Sequence, residues 1–260
     1  MEEAKASAAK GKSTGTPLWE KALAEFLGTA LLVFFGCISG LQFAASADLW
    51  GKLIAVSAAF GIIVTACVYT IGGVSGAHLN PAASLAMALD GRITWKDFFA
   101  YVGAQIGGAF VGALVIWAFL GSSAGTILST EVNSSLVLGS ASGATTAGVG
   151  SLFAGMFLEA IGTCVFIYVV LAVTAKKENG PIAGLVIGAA LWLSIAILFN
   201  LTGGSLNPAR SLGTALVSLL NGTDAVHVEP IREIWVYIFG PLMGGAAAAG
   251  LYKFFNKKAA

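Results

Sequence analysis

The sequence predicts an all-α membrane protein with six transmembrane helices plus two re-entrant half-helices, arranged as an inverted 3+3 repeat. Three observations predict it. The chain is 57% hydrophobic with only 10% charged residues and a mean hydropathy of +0.86, a composition expected of a polytopic helical membrane protein and not of a soluble domain. The stretch Gly76-Ala77-His78-Leu79-Asn80-Pro81-Ala82-Ala83-Ser84-Leu85 returns as Gly203-Gly204-Ser205-Leu206-Asn207-Pro208-Ala209-Arg210-Ser211-Leu212. Each half of the chain contributes three apolar segments around its copy, an odd number, so the halves must cross the bilayer in opposite senses.

Taken in order, residues 1–17 are polar and rich in Ala, Lys, Gly and Ser, without the apolar stretch of a cleavable leader. They read as a disordered tail. Apolar runs follow at 18–41, 53–73, 98–120, 152–175, 182–199 and 234–255, each of a length to cross a hydrocarbon core. Repeat one is then 18–120 and repeat two 151–255, within a single domain over 18–255, and 256–260 is a second tail. Lys5, Lys10, Lys12 and Lys21 cluster at the start of the chain and Lys253, Lys257 and Lys258 at its end, which puts both termini in the cytoplasm. An even number of spans agrees. Arg92, Lys96, Lys176 and Lys177 fall on that same side, and the charge-poor loop 122–150 lies outside. Asn133-Ser134-Ser135 and Asn221-Gly222-Thr223 match the glycosylation sequon in outer loops. Trp19, Trp95 and Trp235 flank spans as interfacial anchors. A net charge of +1 argues against a nucleic-acid partner.

Asn is a preferred helix cap and Pro a preferred first helical residue, so Asn80-Pro81-Ala82 and Asn207-Pro208-Ala209 each start a helix. Those helices run over 82–89 and 209–219, bounded by Asp90-Gly91 and Asn221-Gly222. Each is about 15 Å long, half of a hydrocarbon core about 30 Å thick. Two half-spans entering from opposite faces add up to one full span with both caps at mid-depth. Non-helical backbone there requires protein or water around it. A duplicated Asn-Pro-Ala inside a membrane is a pore signature.

The openings of the halves repeat as well: Ala24-Glu25-Phe26-Leu27-Gly28-Thr29 and Leu158-Glu159-Ala160-Ile161-Gly162-Thr163, followed by the motif Asn 55 and 48 residues after the Glu. Glu25 and Glu159 lie in apolar spans, where a bare carboxylate is expensive. As an acid and base pair they would have to converge, and the inverted repeat holds them apart. Arg210 is charged at membrane depth, so it either pairs with a buried acid or lines water. His78 either lines the pore mouth or packs as a hydrogen-bonded histidine. Gly103, Gly107 and Gly108, with Gly240, Gly244 and Gly245, bring small residues to helical spacing for close packing. Gln105 and Pro241 occupy parallel structural places. Cys37, Cys67 and Cys164 have no ligand spacing, and free buried thiols with no metal and no cofactor are expected.

On the two Asn-Pro-Ala motifs, the Arg after the second and the Glu-x-x-Gly-Thr openings, the chain resembles an aquaporin, a member of the major intrinsic protein family, from Trp19 to about Phe254. The resemblance implies a homotetramer with one pore per subunit, conducting water and small neutral solutes through membrane lipid. It implies that Asn80 and Asn207 face each other in a single-file pore, each oxygen capping its own half-helix and each NH2 aimed at passing water. It implies that Glu25 and Glu159 accept hydrogen bonds from the re-entrant loops, and that Phe60, Ile195 and Gly204 form the outer constriction with Arg210. Water-specific members carry His where this chain has Ile195 and a larger side chain at Gly204. The filter is therefore loosened and resembles that of tonoplast-type channels, although those carry His at Phe60. Glycerol facilitators typically carry Asp at Ser211 and Lys or Arg at Ala215.

Three function classes remain open on the residues alone: a passive channel, a driven transporter, and a structural membrane protein with a closed pore. The channel is favoured because Glu25, Glu159 and Arg210 are the ionisable residues deep in the spans, leaving no ion-coupling machinery. Water is the expected main substrate, with ammonia as a further candidate, and an aquaglyceroporin-like passage of glycerol or urea is the alternative. The residues do not choose between a plasma membrane and an intracellular, vacuolar-type one.

Overall fold

A computed structural model describes residues 15–42, 48–121, 130, 148–222 and 225–256. Among these residues six helices are long and apolar enough to cross a membrane: α1 (Leu18–Gln42), α2 (Leu49–Ser75), α4 (Trp95–Leu120), α5 (Val149–Thr174), α6 (Gly180–Thr202) and α9 (Ile234–Phe255). The half-helices are α3 (Pro81–Leu89) and α7 (Pro208–Ser218). A short amphipathic helix α8 (Ala225–Arg232), which the apolar pattern does not announce, leads into α9. Of the expected tails 1–17 and 256–260, residues 1–14 and 257–260 lie outside the described residues, as do most of the loop 122–150, the sequon at Asn133 and Thr223 of the sequon at Asn221.

Inversion is visible in how the helices pair. In the first half Gly108 and Gly112 of α4 sit against the carbonyls of Phe26 and Ala30 on α1. In the second, Gly240 and Gly244 of α9 sit against the carbonyls of Met156 and Ala160 on α5. Without side chains at these positions the backbones approach closely, which is how helices gain dispersion contact in lipid. The sequence pattern pointed to Gly103 and Gly107, but Gly103 has open space beside it and Gly107 only grazes the Phe26 ring. Gly112, one turn further along, carries the contact instead.

Each half-helix is wedged against the opposite repeat. A Cβ on Gly245 of α9 would stand 2.5 Å from the Ala82 carbonyl of α3, and one on Gly213 of α7 would stand 2.6 Å from Ala109 of α4. Gly245→Val should therefore push α3 out of register and destabilise the fold by about 1–3 kcal/mol, as overpacking does. The readout is a lower thermal midpoint in detergent, and an unchanged midpoint would mean that α9 does not hold α3.

Large apolar side chains such as Phe35, Ile62, Phe119, Phe157 and Ile197 are exposed, the outward face expected of helices solvated by lipid. Trp19 and Trp95 are exposed at helix ends, whereas Trp235 is half-buried against Phe153. Cys37 and Cys67 are buried free thiols, while Cys164 is only half-buried, unlike its expectation.

Candidate functional site: a pore between two capped half-helices

Both half-helices begin as their sequence dictates. Asn80 is in an extended conformation and its Oδ1 accepts from Ala82 N at 2.8 Å. Asn207 does the same, accepting from Ala209 N and Arg210 N at 3.0 and 3.2 Å. With each oxygen spent on its own cap, only the amide N–H groups are left to donate. One of them crosses the repeat boundary: Asn80 Nδ2 donates to Leu206 O at 2.7 Å, and Asn207 Nδ2 donates to Leu79 O at 2.8 Å. The two helix tips are thus stitched together, and each amide keeps a single N–H for anything beside it. The sequence reading left both N–H groups free.

The loops that deliver these tips are strained alike. Ala77, Leu79 and Leu206 adopt positive φ of 49°, 53° and 56°, and Gly204, the repeat partner of Ala77, sits at 58°. Left-handed backbone costs a non-glycine residue on the order of 1 kcal/mol or more, so something must hold it. Two buried carboxylates do. Glu25 accepts from Ser75 Oγ at 2.6 Å, His78 N at 2.9 Å, Leu79 N at 2.6 Å and Gln105 Nε2 at 2.8 Å. Glu159 accepts from Thr202 Oγ1 at 2.6 Å, Ser205 N at 2.9 Å and Leu206 N at 2.7 Å. Tyr101 and Tyr237 close the same loops by donating to Ser75 O and Thr202 O at 2.7 and 2.8 Å. Pro241, standing where the first half has Gln105, has no donor to give, which accounts for the missing fourth bond at Glu159.

A cavity of about 70 Å³ runs past the joined tips, lined by the polar residues His78, Asn80, Asn207, Ser205 and Arg210 and by the apolar residues Val64, Val68, Phe166, Leu191 and Ile195. At roughly 10–15 Å³ per enclosed water, that is room for about five to seven molecules. At one end it shares Gly76, His78, Met87 and Thr174 with a wider vestibule of about 280 Å³. His78 Nδ1 is 3.1 Å from Ser84 Oγ, and its ring stands edge-on to Tyr101. His78 therefore both lines the mouth and packs, the two readings its sequence position allowed.

At the other end Phe60, Ile195 and Arg210 line the cavity together. The guanidinium lies over the Phe60 ring at 5.5 Å, a cation–π contact. Its NH1 is buried and has no hydrogen-bond partner among the described residues, and no ion pair among those residues involves it. A pairing acid, the other reading of a buried Arg, is absent among them. Gly204 is buried but is not one of the lining residues; its neighbour Ser205 is. A Cβ there would stand 3.0 Å from Ile195 O and 3.1 Å from Ile195 Cα, so Gly204 acts through backbone approach to α6. A side chain grafted at Gly204 would meet both that contact and the positive φ.

Arg92, which the sequence offered only as an orientation charge, joins the C-terminal end of α3 to α5. It donates to Asp90 at 2.7 Å, Thr174 Oγ1 at 2.7 Å and Leu171 O at 2.9 Å. Ser205, Ser84 and Thr130 are further residues at the site that motif spacing gave no reason to select. Ser84 links His78 to Gln105, and the repeat, which aligns it with Ser211, hinted at Ser84 alone.

Comparison with known proteins agrees with this geometry. A family model described as "Major intrinsic protein" matches residues 12–252. Glycerol uptake facilitator protein-like 6 of Lactiplantibacillus plantarum is 39% identical over 233 residues, covering 88% of this chain and 94% of that protein. Aquaporin Z of Brucella melitensis is 33% identical over 237 residues, covering 90% and 96%. The X-ray structure of the aquaglyceroporin from Plasmodium falciparum shares the fold, with a TM-score of 0.74 at 24% identity over 91% of this chain and 96% of that one. The chain is an integral, multi-pass membrane channel protein and belongs to the major intrinsic protein family.

Proposed function

We propose that this protein is a passive channel that conducts water in single file and excludes protons and ions, with the pore built by residues 18–255 and both termini in the cytoplasm. The observation that carries the reading is the stitched pair of Asn80 and Asn207, each with its oxygen and one N–H engaged and one N–H left beside the cavity. A water that accepts from both remaining donors presents only its own hydrogens outward, one to each neighbour, and the chain of hydrogen bonds reverses polarity there. A proton cannot be relayed through such a reversal. The N-termini of α3 and α7 add roughly half a positive charge each at the same depth, which further disfavours hydronium and cations. Phe60, Ile195, Arg210 and the backbone at Gly204 act as the selectivity filter, and a homotetramer supplies four such pores.

A second reading, facilitated passage of glycerol or urea, is favoured by one specific observation: the filter wall opposite Arg210 is apolar, formed by Phe60 and Ile195. The relative in Lactiplantibacillus plantarum is named for glycerol uptake, and that name agrees with it. Stopped-flow light scattering of reconstituted liposomes separates the two. Osmotic shock with an impermeant sugar should give fast shrinkage sensitive to the amount of protein. Shock with glycerol should give shrinkage without rapid recovery if water is the substrate. Rapid re-swelling in glycerol establishes the second reading, and shrinkage no faster than in empty liposomes ends both.

A further inference from the structure

Thr130 is buried, with 3% of its surface exposed, on the segment between α4 and α5. It packs so closely on the loop before α7 that a Cβ at Gly203 would stand 3.2 Å from its Cγ2. Its Oγ1 is 2.8 Å from Ser211 Oγ, and Ser211 Oγ is 2.5 Å from Ser205 Oγ. Ser205 Oγ in turn donates to Asn207 O at 3.0 Å. A hydroxyl has one proton, so the direction of the whole chain is fixed from its far end. The Ser205 proton goes to the Asn207 carbonyl, so the Ser211 proton goes to Ser205, and the Thr130 proton goes to Ser211. Ser205, although it lines the cavity, has no proton to offer a solute. Beside Arg210 the wall therefore presents the guanidinium as its donor.

We propose that Thr130 is a positioning residue for solute selectivity: its hydroxyl, acting through Ser211 and Ser205, holds the loop 203–207 and the first turn of α7, and so sets the gap between Arg210 and the wall formed by Phe60 and Ile195. The inference rests on the filter assignment above. Ser211 follows Arg210 directly in α7, so a shift of one moves the other. Releasing the outer end of the chain leaves a Ser211 lone pair buried without its donor and lets the loop relax away from α6. A wider gap favours a solute larger than water and leaves water itself little changed.

Liposomes carrying wild type, Thr130→Val, Thr130→Ser and Ser211→Ala are compared at equal protein content by stopped flow, with sucrose for water and glycerol for solute. Wild type that fails to speed water flow overturns the channel reading itself, before the variants are considered. Given water flow, Thr130→Val and Ser211→Ala should each raise the glycerol-to-water ratio about two- to tenfold, the range one hydrogen bond is worth. Thr130→Ser keeps the hydroxyl and should keep the wild-type ratio. An unchanged ratio in Ser211→Ala overturns the proposal even if Thr130→Val does not fold. A Thr130→Ser protein that behaves like Thr130→Val also overturns it, since packing and not the hydroxyl would then be responsible.

Discussion

Glu25→Leu should leave no folded channel. The substitution removes the acceptor of four donors, Ser75 Oγ, His78 N, Leu79 N and Gln105 Nε2, in a site where Glu25 itself has no exposed surface. Water cannot replace it there. Each buried donor left unpaired costs about 1–3 kcal/mol, and the left-handed turns at Ala77 and Leu79 lose what holds them. Even if the serine hydroxyl finds another acceptor, the loss is comparable with the whole stability of a typical domain, about 5–15 kcal/mol. The expected result is aggregated or degraded protein by size-exclusion chromatography in detergent, with no osmotic response in liposomes. Glu159→Leu should fail likewise, somewhat less severely, because it strands three donors instead of four. Thr163→Val is the matched control: Thr163 is equally buried, but its Oγ1 has no partner among the described residues, so its loss should be near neutral. A monodisperse, conducting Glu25→Leu protein would show that the carboxylate does not shape the loop.

Arg210→Val should open the pore to charge. Arg210 is 7% exposed and lines the cavity, and its NH1 has no partner among the described residues. A cation about 4 Å away at an effective dielectric constant of about 20 meets a repulsion of about 4 kcal/mol, roughly a 10³-fold barrier. The half-helix dipoles remain in the variant, so a rise in proton leak on the order of tenfold to a hundredfold is expected, read with a pH dye trapped in liposomes. Glycerol flux should rise as well, because Val is shorter than Arg and frees the space over the Phe60 ring. A leak identical to wild type would place the whole barrier at Asn80 and Asn207.

Much of the architecture was legible along the chain because each signal is local. Asn-Pro fixes a cap and a first turn by itself, and both half-helices start at Pro81 and Pro208 as that dipeptide requires. Apolar runs locate spans because lipid demands them, and the sixth span begins and ends where the run does, at Ile234 and Phe255. Other span ends were less accurate, and α2, α4 and α5 begin at Leu49, Trp95 and Val149, ahead of their apolar runs. α2 continues to Ser75 and α6 to Thr202, past the apolar runs, because Glu25 and Glu159 accept from the hydroxyls of those last residues. Similarly, small-residue spacing found Gly108 on α4 but missed Gly112, since a stripe of glycines does not say which neighbour it meets.

By itself, then, the sequence determined the class, the inverted repeat, the two capped half-helices and the identity of the residues at their tips, since each depends on propensity or hydropathy within a few turns. Only the tertiary structure decided that Asn80 and Asn207 donate across to Leu206 and Leu79, that Arg210 lies over Phe60 with no paired acid among the described residues, and that Ser205 rather than Gly204 faces the cavity. The same holds for the hydroxyl chain from Thr130 to Asn207. Those are contacts between segments as much as 128 residues apart, and their geometry follows from how close the glycine-lined helices let two backbones come.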